Sequence, residues 1–144
     1  MTRTICAVTG SRADWGLLKP VLKGIRQQDE LRLQLAVTGS HLDPAHGNTV
    51  DVILSEGFDV NARVDLALSA DTTVEVTHAL GRGVLGFADA LQVLKPDLLL
   101  VLGDRYEILA AVQAALIARI PVAHIAGGDI TEGAFDDAIR HAIT

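Results

Sequence analysis

At 144 residues, 49% hydrophobic and 21% charged, the chain has the size and composition of one globular domain, which excludes a disordered tail or a collagen-like rod. Its 12 basic against 18 acidic side chains give a formal charge of −6, the wrong sign for a nucleic-acid partner. A single cysteine leaves no internal disulfide, as expected in a reducing cytoplasm, and no apolar run approaches the roughly 20 residues of a membrane span or reads as a secretory leader.

The first predicted strand, 4–9, is a short apolar run closed by Gly10. It leads through Gly10, Ser11, Arg12, Ala13 and Asp14 into a predicted helix over 15–28. A glycine turn opening into a helix, with a cation beside it, suits a phosphate, for which Arg12 has the planar donors. The ordinary alternative is a turn glycine followed by two solvated cap residues, Arg12 and Asp14. A predicted second strand, 31–38, is followed by Gly39, Ser40, His41, Leu42 and Asp43, a loop on which His41 is either a donor to a ligand or simply solvated.

A helix over 49–56 and a strand over 60–65 come next, then a long helix over 72–94. Within it, Gly81, Gly83 and Gly86 match the G-x-G-x-x-G spacing of dinucleotide binders, with 72–77 as a conceivable preceding strand. Against that reading, Val74, His78 and Leu85 also fit one helical face. The fourth strand, 97–102, ends in Gly103 and Asp104 before a dense apolar helix over 105–119. Asp104 is a candidate base aimed at the crevice, and with Glu107 three residues later it is also a candidate helix-capping pair. The fifth strand, 121–125, is followed by Gly127, Gly128, Asp129 and Glu132, and the last predicted helix, 134–144, carries Asp136, Asp137, Arg140 and His141. Asp136 and Arg140 are four apart and so share a face, either as a surface ion pair or as part of a site. His46 and His78 have no partner at metal-ligand spacing, so no metal is expected.

Alternating short strands and helices predict an α/β domain over 1–144, a Rossmann-like parallel sheet with helices on both faces. The last helix is still running at Thr144, which reads as the amino-terminal part of a longer polypeptide.

Three strings, TGSRADWGLLKP at 9–20, LGDRYEIL at 102–109 and TEGAFDDAIRHAIT at 131–144, closely resemble the hydrolysing UDP-N-acetylglucosamine 2-epimerases. That family is about two and a half times this length, with two Rossmann-like domains of the glycosyltransferase-B type around a cleft, so the resemblance covers the first domain only. It implies a UDP-sugar substrate, no redox cofactor and a homodimer or higher homo-oligomer. It also implies release of UDP and a free 2-epimer, N-acetylmannosamine from UDP-N-acetylglucosamine, for making sialic-acid-type sugars. By position, Arg12 with Gly10 and Asp14 would meet the diphosphate, while Asp104, Asp129 and Asp136 would be the carboxylates near the sugar. Arg140 would orient them, and His41 would border the same pocket. The family's His-Ile-His-Gly-Gly-Glu is here His124-Ile-Ala-Gly-Gly-Asp129, which loses a ring and shortens an acid by about 1.5 Å. A stand-alone nucleotide-binding or regulatory domain without turnover is the alternative.

Overall fold

The computed structural model of the protein describes residues 1–126 and 135–144, with Phe135 and Asp137 described by their backbone alone. Five parallel strands, β1 (Arg3–Thr9), β2 (Leu31–Thr38), β3 (Ala62–Val64), β4 (Leu98–Leu102) and β5 (Val122–Ile125), form one sheet in the order β3-β2-β1-β4-β5. Helices α1 (Arg12–Arg26) and α2 (Val50–Ser55) carry the apolar residues of one face. Those of the other face come from α3 (Thr73–Leu94), α4 (Tyr106–Ile117) and α5 (Phe135–Ile143).

The two-residue period of the strands divides the core. Cys6, Val8, Leu99 and Val101 point to the α3/α4 side with Phe87 and Ile108, while Ala7 and Leu100 point to the α1 side with Leu18, Leu22 and Ile53. Each large apolar side chain fully buried this way contributes about 1.5–3 kcal/mol. The dense helix expected after the fourth strand is α4, whose Ala110, Ala111, Ala114 and Ala115 are buried against α3 and the sheet.

The Gly81-to-Gly86 string lies wholly inside α3, and the residues before it are helical, so the strand and turn that a dinucleotide fingerprint requires are absent there. Two of its glycines serve packing instead. A Cβ on Gly86 would stand 2.5 Å from Val64 Cγ1, and one on Gly83 would stand 2.9 Å from Ala110 Cβ. Small residues thus bring α3 close to β3 and α4.

Other differences from the sequence reading have local causes. α1 begins three residues before its apolar periodicity because Ser11 and Asp14 form a capping box. β3 is shorter than expected because Asn61 bonds to Leu35 through both its N–H and its side-chain oxygen, at 2.8 and 2.9 Å, in place of a further strand residue. The loop after β2 is not open but wound into two single-turn 3-10 helices, Gly39–Leu42 and Pro44–His46.

Candidate active site

In a parallel sheet the crevice lies beyond the carboxyl ends of the strands, at the point where the chain switches direction across the sheet. Here that point falls between β1 and β4, so the loops at Gly10 and Gly103 flank it.

At the end of β1, Asp14 turns back into its own loop. Its carboxylate accepts from the Thr9 hydroxyl, from the Gly10 and Ser11 N–H groups at 3.0 and 3.1 Å, and from the Ser11 hydroxyl at 3.3 Å. The side chain is buried and shapes the turn from within, so it is not the solvated cap residue of the ordinary sequence reading. Arg12 is exposed on the first turn of α1.

His41 is fully buried, behind the opening and not on its rim. Its Nε2 and Nδ1 lie 2.8 Å from the hydroxyls of Thr9 and Thr49. Because Thr9 gives its one hydroxyl proton to the Asp14 carboxylate, Nε2 donates to Thr9. Burial lowers the pKa of the ring despite the nearby Asp14 charge, which favours the neutral form, and in that form Nδ1 accepts from the Thr49 hydroxyl. The neutral ring ties the ends of β1 and β2 together.

Asp104 follows β4 and is about 28% exposed at its side chain. Arg140, from α5, places its Nη2 2.6 Å from Asp104 Oδ2. At 6% exposure Arg140 is no surface residue, which removes the surface ion-pair alternative. Nor does Asp104 cap α4, since the cap position is Arg105, without a side-chain cap. The loop bearing Asp104 is further held by His124, whose Nε2 donates to the Gly103 carbonyl at 2.7 Å. Asp136 is exposed one turn before Arg140 on α5 and lies within the electrostatic reach of Arg105. Asp129 lies outside the described residues.

A cavity of about 300 Å³ opens between the loops after β1, β2 and β3 and the start of α4. Its lining includes Ser11, Ser40, Asp43, Asp65, Arg105 and Glu107, but not Gly10, Arg12, Asp14, His41, Asp104, Asp136 or Arg140. Among the described lining residues Arg105 is the one Lys or Arg.

Sequence reasoning missed Glu107 as anything but a cap partner. It is 1% exposed and takes the Arg105 Nε–H on Oε1 at 2.6 Å, while its Oε2 is buried without a hydrogen bond. Burial raises its pKa, and the Arg105 charge and hydrogen bond oppose the rise. The carboxylate occupies the space that side chains at Gly10 and Gly39 would fill. A Cβ on Gly10 would stand 2.8 Å from Glu107 Cγ, and one on Gly39 would stand 2.6 Å from the Gly10 carbonyl oxygen and 3.2 Å from Glu107 Oε1. The available signal was the pair of glycines closing β1 and β2, which leave both turns open to a close approach.

Residues 23–144 match the model of the family described as UDP-N-acetylglucosamine 2-epimerase. The chain belongs to that family. It is 41% identical over 144 residues to the UDP-N,N'-diacetylbacillosamine 2-epimerase (hydrolyzing) of Legionella pneumophila, covering all of this chain and 38% of the relative. It is 38% identical over 142 residues to the GDP/UDP-N,N'-diacetylbacillosamine 2-epimerase (hydrolyzing) of Campylobacter jejuni, covering 99% of this chain and 37% of the relative. This epimerase-family chain therefore spans well under half the length of those proteins. Its fold is that of the Neisseria meningitidis UDP-GlcNAc 2-epimerase crystallised with UDP-GlcNAc, with a TM-score of 0.82 at 22% identity over 97% of this chain and 37% of that one. Among the described residues no helix is long and apolar enough to cross a membrane.

Proposed function

We propose that the protein is the amino-terminal domain of a hydrolysing 2-epimerase acting on a UDP-2-acetamido sugar, either UDP-N-acetylglucosamine or the 2,4-diacetamido sugar named for its relatives. The observation that carries the reading is Asp104, part-exposed at the end of β4 and held by the buried Arg140. A carboxylate on a rigid strand end, fixed from behind by a guanidinium, is available both to take a proton and to stabilise positive charge.

The chemistry asks for both. The hydrogen on C2 of the sugar is not acidic by itself, so it leaves as the C1–O bond to UDP breaks through an oxocarbenium-like state. UDP departs with the bonding pair, the C2 proton passes to a carboxylate, and a glycal remains. Water then adds its hydroxyl to C1 while C2 is reprotonated on the opposite face, giving the free 2-epimer. Asp104, Asp129 and Asp136 are proposed as the acids around the ring, with Arg140 orienting Asp104. Gly10 and Arg12 are proposed to meet the diphosphate at the loop that Asp14 shapes. His41 contributes indirectly, by fixing the strand ends.

We further propose that turnover needs a carboxyl-terminal domain to supply the other wall of the cleft. The test is to incubate full-length protein with UDP-N-acetylglucosamine and, separately, with the UDP-2,4-diacetamido sugar, and to identify the released sugar by NMR. A free 2-epimer together with UDP supports the reading. Saturable UDP binding without release of sugar from either substrate would support a binding domain instead, and UDP release by the 144-residue chain alone would overturn the need for a second domain.

A further inference from the structure

The reaction outlined above makes no use of Glu107, although this acid lies at the strand ends where the reaction is placed. A buried carboxylate retained for architecture alone is expected to have both oxygens satisfied, since an orphaned one is costly. Glu107 satisfies only Oε1, and its one described ion pair is to Arg105. The backbones of Gly10 and Gly39 wall the side chain in on the side of the strand ends.

Arg105 is the exposed member of the pair, with its side chain about half exposed and, among the described residues, no hydrogen bond to its terminal nitrogens. A guanidinium is planar, so fixing its Nε–H direction also fixes where the two terminal nitrogens point. The cavity they border carries Asp43 and Asp65 on its wall and no other Lys or Arg among the described lining residues. An anion entering there has this cation to meet.

We propose that Glu107 is a positioning residue that holds Arg105 by its Nε edge and presents the remaining guanidinium donors to the anionic diphosphate of the nucleotide sugar. The identity of the ligand rests on the proposed function; the mechanical part rests on Glu107, Gly10, Gly39 and Arg105.

A double-mutant cycle on the full-length protein, read by calorimetric titration with UDP and with uridine, tests it. Arg105→Ala is expected to weaken UDP binding about tenfold, and Glu107→Gln by a comparable factor. The double variant should be no weaker than Arg105→Ala alone, and uridine, which lacks the phosphates, should bind all four proteins alike. Losses that multiply in the double variant, or a Glu107→Gln protein that binds UDP normally, would overturn the inference, as would parallel losses for uridine. If Glu107→Gln does not fold, Glu107→Asp, which keeps the charge but falls short of Nε, replaces it in the same cycle. Turnover with a multiplicative cycle would overturn this inference and leave the proposed function standing. A coupled cycle without turnover would do the reverse, and no UDP binding by the unaltered protein would overturn it outright.

Discussion

Alanine in place of Gly10 is expected to destabilise the fold through a single contact. The added methyl carbon would stand 2.8 Å from Glu107 Cγ and 2.9 Å from its Oε1, well inside van der Waals distance. Glu107 is 1% exposed and held by Arg105, so relief requires its side chain to give up that hydrogen bond, or the β1 turn or α4 to shift. Overpacking of this kind costs about 1–3 kcal/mol. At about 2.1 cal/mol/K per residue, a 144-residue domain unfolds with an entropy near 0.3 kcal/mol/K, so each kcal/mol lowers Tm by about 3 °C. Thermal unfolding followed by circular dichroism should therefore show Gly10→Ala melting about 3–10 °C below the parent chain. Combined with Glu107→Ala, which removes the obstructing carbons, the Gly10 substitution should cost little more than Glu107→Ala does alone. An unchanged Tm for the single variant, or the full penalty persisting in the double, would refute the steric account.

The remaining expectations address other groups at the strand ends and in the core. Asp104→Asn in the full-length protein should lower the proposed turnover at least about 10²-fold with UDP affinity roughly intact, measured by released UDP and by titration; retained turnover would remove Asp104 from the proposed mechanism. Asp14→Asn places a donor among the N–H and hydroxyl groups that now donate to the carboxylate, and should cost about 2–4 kcal/mol, seen as a lower Tm. The pKa of His41 is lowered in the folded protein, so below about 6.5 the unfolded chain takes up the proton first. Its stabilisation is thus present above that pH and lost as pH falls toward the folded pKa. Denaturant titrations from neutral to mildly acid pH should show a steeper loss in the parent than in His41→Gln, and parallel slopes would contradict the buried neutral ring. Burial pushes the Cys6 thiol up to about 12, so a thiol reagent in mildly alkaline buffer should label it only after unfolding in guanidinium.

Much of the architecture was legible because parallel strands and amphipathic helices carry opposite periods. Leu31–Thr38 emerges with both ends as expected, and Asp97 and Pro121 fall just outside β4 and β5. The pairing of Arg140 with Asp104 follows from family resemblance, but its burial does not, because a sequence gives no indication of which face of α5 meets the loop after β4. His41 was misplaced for a related reason. Its surroundings in sequence are polar, whereas its partners Thr9 and Thr49 come from distant segments and satisfy both ring nitrogens only once the sheet has formed. The Gly81-to-Gly86 spacing misled in the opposite direction, because glycines that bring a helix close to β3 and α4 produce the same string as glycines that cradle a phosphate.

The acids at this edge of the sheet differ mainly in solvent access, and that difference separates their roles. Asp14 and Glu107 are 7% and 1% exposed and are engaged by groups of their own chain. A base for a sugar hydrogen must come within hydrogen-bond reach of the substrate, about 2.6–3.2 Å between heavy atoms, which a carboxylate buried at this depth does not permit without rearrangement. Asp104 is reachable yet fixed, and Asp136 is reachable and lies in the field of Arg105. The buried pair shapes the turns beside Arg12 and Arg105, whereas the exposed pair stays open to a ligand and is the one the proposed reaction can use. For Glu107 to join the exposed pair it would have to leave the space beside Gly10 and Gly39 that its side chain now takes.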